Sequence, residues 1–416
     1  VAEASIRLRP LLLAVYLPVA VYEIGNGAIG PVVALTGLRL GAPLSVAGTL
    51  PALLGIGQIL GNVPAGLLAT RLGERRCMII AALTSLAAMI TCARVDSLMI
   101  FAVAVLMIGV ANSAYYLARQ SYLTTMTPPA WRARAMSMLS GAHRVGLLIG
   151  PFAGAAAISV AGLRASYLVA AGAVSTAVVL LIIGSRRRDS GSTGSPIEPV
   201  RRSTGGRPTW WQAVWVRRHL FATLGVTVLI LRAVQSTRGT LLPLWAHRVG
   251  VPADTLSLIF GIGGAVEVAL VYPAGRLMDR RGRLSVALPS VLLLAAGVLL
   301  LPWTNGVGGV AASAVIIAVG QGLGAGLIFT LAADAAPGGD RTAFLSGWRL
   351  FSDTGTAVGP VGVSLIGAVA WPAAALATGA LALLAAFGLA RWVPRYSDFA
   401  SPRAIRRQQG ATTPPP

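Results

Sequence analysis

Lysine is absent from this chain, and charge of any kind is scarce. Only 11% of its 416 residues are charged, against about a quarter in soluble globular domains. All 34 basic residues are therefore arginine, set against 13 acids, for a net charge of +21. Without lysine there is no G-x-x-x-x-G-K-[ST] phosphate loop, which argues against an ATPase. Two cysteines, Cys77 and Cys92, share one apolar segment, so no disulfide framework is expected. Three histidines are scattered, and nothing is spaced like a metal or redox centre. The expectation is a protein that is not an enzyme and holds no cofactor or metal.

Apolar residues fill the space these absences leave: 55% of the chain, with a mean hydropathy of +0.75. Runs of about 20 apolar residues recur along the whole length, each long enough for a hydrocarbon core of ~30 Å. The chain reads as an all-α integral membrane protein. Spans are placed near 10–36, 43–70, 75–95, 97–126, 134–160 and 163–184, then 217–248, 252–279, 283–303, 308–336, 342–369 and 371–393. The first apolar segment is long and lacks a small-residue cleavage site, so no cleaved signal is expected.

Arginines sort by side. The loops after spans 2, 4 and 8 carry Arg71, Arg75 and Arg76, then Arg132 and Arg134, then Arg280, Arg281 and Arg283. Opposite loops hold single arginines such as Arg39, Arg94, Arg164 and Arg248. Arginines in short loops between spans encode topology, and here they place both termini in the cytoplasm. They form no exposed basic face of the kind nucleic acid requires. The segment 185–216 reads as a cytoplasmic linker, ending in Trp210, Trp211 and Trp215 beside Arg217 and Arg218. That ending suits a short segment at headgroup level. It separates a bundle over 1–184 from another over 217–393, with a polar tail over 394–416.

The two bundles are copies. "GLLATRLGERR" from Gly66 returns as "GRLMDRRGRLS" from Gly275, a shift of 209 residues. The same shift pairs Pro128 with Pro337, Arg132 with Arg341, Gly146 with Gly355, and Gly150–Pro151 with Gly359–Pro360. An even number of spans per copy keeps the repeats parallel about an axis along the membrane normal.

These residues resemble the major facilitator superfamily over nearly the whole chain. Gly275, Asp279, Arg280, Gly282 and Arg283 are similar to its loop signature G-x-x-x-D-R-x-G-R-R; Gly66, Arg71, Gly73 and Arg75 match more loosely. Thr70 stands where the first acid would be, and Glu74 is its candidate substitute. "GLLIGPFAG" from Gly146 resembles the span-5 motif G-x-x-x-G-P-x-x-G, and Arg119 the span-4 arginine of proton-coupled members. The resemblance implies twelve spans in two six-helix repeats. It also implies a loop clamp that favours one access state, with the acid facing a helix N-terminus. Spans 1, 4, 7 and 10 would line a cavity, and spans 2, 5, 8 and 11 a seam between halves. Glycines four apart in span 5 read first as a face for close packing. The run "GQGLGAG", Gly320–Gly326, is likewise a packing face inside an apolar helix rather than a dinucleotide loop.

Charges inside the spans mark the candidate site, because each costs about 2.5–3.5 kcal/mol even on lenient insertion scales. Glu23 and Arg144 lie mid-span in the first half, and Arg232, Glu267 and Asp353 in the second. The repeat maps Glu23 onto Arg232 and Arg144 onto Asp353, with signs exchanged; Asn26 maps onto Gln235 and Asn112 onto Gln321. Expected pairs are Glu23 with Arg144 and Arg232 with Asp353; alternatives join Arg144 to Glu267, or Arg349 to Asp353 one turn away. His143 is expected at the seam, with a proton relay as the other reading. Glu23 is the candidate for proton or substrate binding: burial favours its neutral acid, and nearby arginines favour the carboxylate. Asn26, Asn112, Tyr116, Arg119, Arg232, Gln235 and Gln321 complete the candidate set. Proton-coupled efflux of a small molecule across a bacterial plasma membrane is the expected function. A proton-coupled importer of an organic acid, amino acid or sugar, and a lipid translocator or non-transporting sensor, stay open.

Overall fold

The computed structural model describes residues 15–127, 132–189, 210–336 and 341–397. The expected linker core at 190–209, the tail beyond 397 and the Pro128/Pro337 match lie outside them. Regular structure among the described residues is helical. In the first half the helices are α1 (Leu17–Ile29), α2 (Val33–Arg39), α3 (Leu44–Leu72), α4 (Glu74–Arg94), α5 (Leu98–Met126), α6 (Arg132–Ala161) and α7 (Leu163–Asp189). A short α8 (Trp210–Val216) and α9 (Arg218–Leu220) precede α10 (Val226–Ser236) and α11 (Arg238–Arg248). Then follow α12 (Ala253–Arg281), α13 (Leu284–Leu300), α14 (Gly306–Leu323), α15 (Leu327–Ala335), α16 (Arg341–Val369) and α17 (Trp371–Tyr396).

Among the described residues ten helical segments are long and apolar enough to cross a bilayer, and α1 with α2, bent by 41°, makes an eleventh when taken as one span. With the 29-residue α16, these are the twelve expected spans. Two details differ from an unbroken reading. Span 1 breaks after Ile29 because Pro31 follows Gly30 and has no N–H to continue the ladder. The run Gly320–Gly326 packs as expected, since a Cβ on Gly320 would lie 2.7 Å from the Ser290 carbonyl oxygen. It also interrupts its span: Gly326 sits at φ +91°, between α14 and α15. Helix α7 runs to Asp189, five residues into the expected linker, and Trp210–Val216 is a helix whose Val214 abuts Gly347 of α16.

Packing divides the helices into two units. One holds α1, α2, α4 to α7, most of α3, and Ala253–Gly261; the other holds Pro43–Ala52 and the remaining helices from α8 onward. Each repeats the same neighbours. In unit 1, α1 lies on α6 and α7, and α4 on α5 and α7; in unit 2, α10 lies on α16 and α17, and α13 on α14 and α17.

The contacts that close these pairs also recur at the 209 shift. A Cβ on Gly146 would lie 2.2 Å from the Ala20 carbonyl oxygen and 2.6 Å from the Glu23 Cβ. Its repeat, Gly355, meets the Leu229 carbonyl oxygen at 2.3 Å and the Arg232 Cβ at 2.9 Å. Gly150 meets the Ile24 oxygen at 2.5 Å, and Gly359 the equivalent Ala233 oxygen at 2.2 Å. Only glycine lets these backbones touch. Such contact drives association where lipid leaves no hydrophobic effect between helices.

Candidate functional site

The glycine face of α6 presses α6 onto α1 and thereby sets His143 against Glu23. Glu23 is wholly buried. Its Oε1 takes the Arg119 Nη1 at 2.8 Å, and the His143 Nδ1 lies 2.8 Å from the same oxygen. Its Oε2 accepts from Asn26 Nδ2 at 3.1 Å and from the Tyr116 hydroxyl at 3.2 Å. Helices α1, α5 and α6 therefore deliver four donors to one carboxylate. Arg119 also lies over the Tyr116 ring, 4.3 Å from its centroid. Behind this shell, the Tyr22 hydroxyl donates to Asn112 Oδ1 at 2.7 Å, and Tyr22 stacks on Tyr115 with centroids 3.9 Å apart. Asn112 Nδ2 donates to Asn26 Oδ1 at 3.2 Å, tying α5 to α1.

The expected Glu23–Arg144 pair does not form. Consecutive helical residues point about 100° apart, so the helix rotation that presents His143 to Glu23 turns Arg144 away. Arg144 has no ion pair among the described residues, and the alternative acid, Glu267, is taken by Arg238. His143 belongs to the Glu23 cluster.

Unit 2 carries a second polar cluster, built partly on the repeat-equivalent positions Gln235 and Gln321. Arg238 pairs with Glu267 and donates to Gln321 Oε1 at 2.9 Å; Gln321 Nε2 donates to the Gln235 carbonyl at 3.1 Å. Gln235 and Gln321 are the repeats of Asn26 and Asn112, so the tie between first and fourth spans exists twice. Arg232, the repeat of Glu23, donates to Gln235 Oε1 at 3.3 Å and does not bond Asp353. Asp353 pairs instead with Arg349 one turn back, at 3.6 Å.

The duplicated loop is built on the same turn in both copies and tied differently in each. Gly73 and Gly282 sit at φ +83° and +91°, where a side chain would strain the turn. Gly66 and Gly275 lie inside α3 and α12, where a Cβ on Gly275 would meet nothing within 4 Å. Arg71 and Arg280 are exposed at the helix ends. Asp279 is 80% exposed, and its partner among the described residues is Arg283 at 3.3 Å. Arg283 makes the tie between helices, reaching Asp334 at 3.0 Å, and Ser397 donates to Asp334 at 2.6 Å. In unit 1 the same two positions are Glu74 and Thr125, and Thr125 donates to Glu74 Oε2 at 3.0 Å. Asp334 and Thr125 went unnoticed in the sequence; applying the shift to Glu74 and Arg283 together would have found them.

This leads to a prediction about the loop. Asp334→Asn should cost about 1.5–3 kcal/mol, because it weakens hydrogen bonds to a charged partner. Asp279→Asn, removing a solvent-exposed pair, should cost far less. Thermal unfolding in detergent distinguishes them, and equal losses would return the central role to Asp279.

Two six-helix repeats, a signature loop present twice and a buried acid–arginine pair across spans 1 and 4 raise the question of family. The family model described as Major Facilitator Superfamily matches residues 16–337 and 224–414. The chain belongs to the Major Facilitator Superfamily. As a member it is a multi-pass membrane transporter and not an enzyme. It resembles the multidrug resistance protein MdtG of Salmonella dublin and of Salmonella typhimurium, with 25% identity over 175 residues. That match spans 41% of this chain and 43% of the length of the relative. Among solved structures, a POT family transporter in complex with 5-aminolevulinic acid superposes with TM-score 0.75 at 13% identity, over 92% of this chain and 96% of the other. The nucleoside transporter NupG gives 0.70 at 12%, over 92% and 98%. A bacterial homolog of the human lysosomal transporter Spinster gives 0.66 at 15%, over the full length of both. At such identities the superfamily likeness is one of fold.

Proposed function

We propose that this chain is a proton-coupled exporter of a small molecule in a bacterial plasma membrane. The Glu23 cluster carries the proposal. Arg119 cancels the charge of the Glu23 carboxylate, while His143 can donate its Nδ1–H without being charged. The cluster is then neutral and has room for one more proton, on the other His143 nitrogen or on Glu23 itself. The His143 side chain is 30% exposed and that of Glu23 not at all, so His143 is the route from water to the buried acid. A change of access that wets or dries this group shifts its proton affinity, and the bound proton in turn shifts access. Export is favoured by the likeness to a multidrug resistance protein and by the span-5 sequence, which resembles a motif associated with exporters.

A solute panel in inverted vesicles, with and without a pH gradient, tests this reading. Uptake that rises with the gradient and collapses when it is dissipated is the expected result. Accumulation indifferent to the gradient would refute the coupling, and gradient-driven movement in the opposite direction would refute export.

His143→Gln keeps a donor for Glu23 and removes titration. Gradient-driven flux should fall several-fold and its pH dependence flatten, while fold and downhill exchange persist. An unchanged pH profile would remove His143 from the proton route.

Both termini are placed in the cytoplasm by the arginine sorting. Cysteines introduced at Ser192 and Gly410 should react with an impermeant thiol reagent only from the inside. The background is low because Cys77 and Cys92 are buried. Labelling in intact cells would reverse the orientation.

A further inference from the structure

A cavity of about 470 Å³ opens in unit 1 where the turn from α3 to α4 faces the ends of α5 and α7. That volume falls in the usual range for small-ligand sites. Its polar wall is Glu74, Arg75, Arg76 and Tyr122, and its apolar wall includes Leu72 and Ile182. The acid is already engaged, since Glu74 accepts from Ser121 and Thr125 of α5. Arg75 spends one nitrogen on the carbonyls of Leu181 and Ile182. Carbonyl oxygens carry no net charge to cancel a guanidinium. Neither Arg75 nor Arg76 has an ion pair among the described residues. Outside the polar wall, apolar side chains lie open on the flanking helices: Leu72, Ile80, Ile182 and Ile183 are 39–49% exposed.

The other repeat does not reproduce this wall. The positions of Arg75, Arg76 and Tyr122 are Leu284, Ser285 and Leu331 there, and the turn is drawn in by Arg283, Asp334 and Ser397. In the first loop Thr70 replaces the acid of the signature, and Arg75 and Arg76 stand side by side where the second loop has Leu284 and Ser285.

We propose that this cavity binds the headgroup of an anionic phospholipid. The phosphate sits against Arg75 and Arg76, whose planar forks match its oxygens. Tyr122 donates to it, and the acyl chains run along Ile80, Ile182 and Ile183. The site lies where three spans end, which is the depth of headgroups. A soluble anion would make no use of the apolar rim. The inference does not depend on Glu23 or on the direction of transport, so it stands or fails separately from the coupling.

The test uses the full chain purified in a neutral detergent and titrated with phosphatidylglycerol, phosphatidylcholine or inorganic phosphate. Thermal unfolding and the lipid retained in native mass spectra are the readouts. Phosphatidylglycerol should raise the unfolding temperature saturably, and phosphatidylcholine should not. Arg76→Gln breaks no hydrogen bond among the described residues, and should weaken the lipid effect about fivefold, the equivalent of about 1 kcal/mol. Arg75→Gln should weaken it further. Arg280→Gln, on the loop of the other repeat, should leave the response intact. Equal stabilisation by phosphatidylcholine, or an unchanged response in Arg76→Gln, overturns the site. Inorganic phosphate acting as strongly as the lipid would mark a soluble-anion site and overturn it too.

Discussion

Glu23→Gln is expected to leave a folded protein that exchanges solute downhill but no longer concentrates it under a pH gradient. Glutamine keeps the size of the side chain and an oxygen for its donors, so the shell of Asn26, Tyr116 and Arg119 has something to hold. It removes the only acid in that shell. Alternating access is largely rigid-body rocking about a fixed site, so movement of solute survives while its link to the proton does not. The change also deprives Arg119 of its counter-charge, and stranding a buried charge costs about 3–5 kcal/mol. Stability must therefore be read beside flux. Arg119→Gln in the same background should restore the unfolding temperature without restoring accumulation. That separates a structural partner from a coupling acid. Flux in proteoliposomes with and without an imposed pH difference decides the matter: concentrative transport near the parental level in Glu23→Gln would end the assignment.

The second large effect concerns α1 against α6. Gly150→Ala places a methyl 2.5 Å from the Ile24 oxygen and 2.6 Å from the Ala28 nitrogen, both backbone atoms that no rotamer change can move. Overpacking of this kind costs about 1–3 kcal/mol, and more where backbone meets backbone. Gly150→Val should not yield a stable protein. Gly146→Ala reports on function as well, because its methyl would lie 2.6 Å from the Glu23 Cβ. It should lower stability and gradient-driven flux together. Gly275→Ala, with open space around it, should be close to neutral. Detergent unfolding temperatures across these variants check the ranking, and a stable Gly150→Val protein would show that the helices are not held in contact there.

Span placement was legible because hydrocarbon imposes length and composition directly. The duplication was legible because glycines at contacts and turns tolerate no replacement: Gly73 and Gly282 share a positive φ, and Gly146 and Gly355 share a backbone contact. The partner of Glu23 is not legible from charge sign alone. Matching Glu23 to Arg232 and Arg144 to Asp353 suggested pairs by sign, whereas helix rotation selects partners by direction. The needed signal was present in α6. His143 precedes Gly146 by three residues and Gly150 by seven, so it shares the face that touches α1; Arg144 lies about 100° away. The break at Gly326 was hidden because an apolar, glycine-rich run reads the same whether it packs or turns. The cavity beside Arg75 depends on where α5 and α7 end relative to the turn, which no local pattern encodes.

The loop ties have a consequence for how roles pass between copies. In one copy an acid at the start of the third span meets a hydroxyl at the end of the fourth; in the other a base meets an acid at those same positions. What descended from the ancestral unit is a distance between two backbones, and the chemistry across that distance was rewritten on each side independently. A missing acid at Thr70 therefore does not mean an untethered loop. Homology within this chain identifies which positions converse, and leaves each pair to settle its own vocabulary.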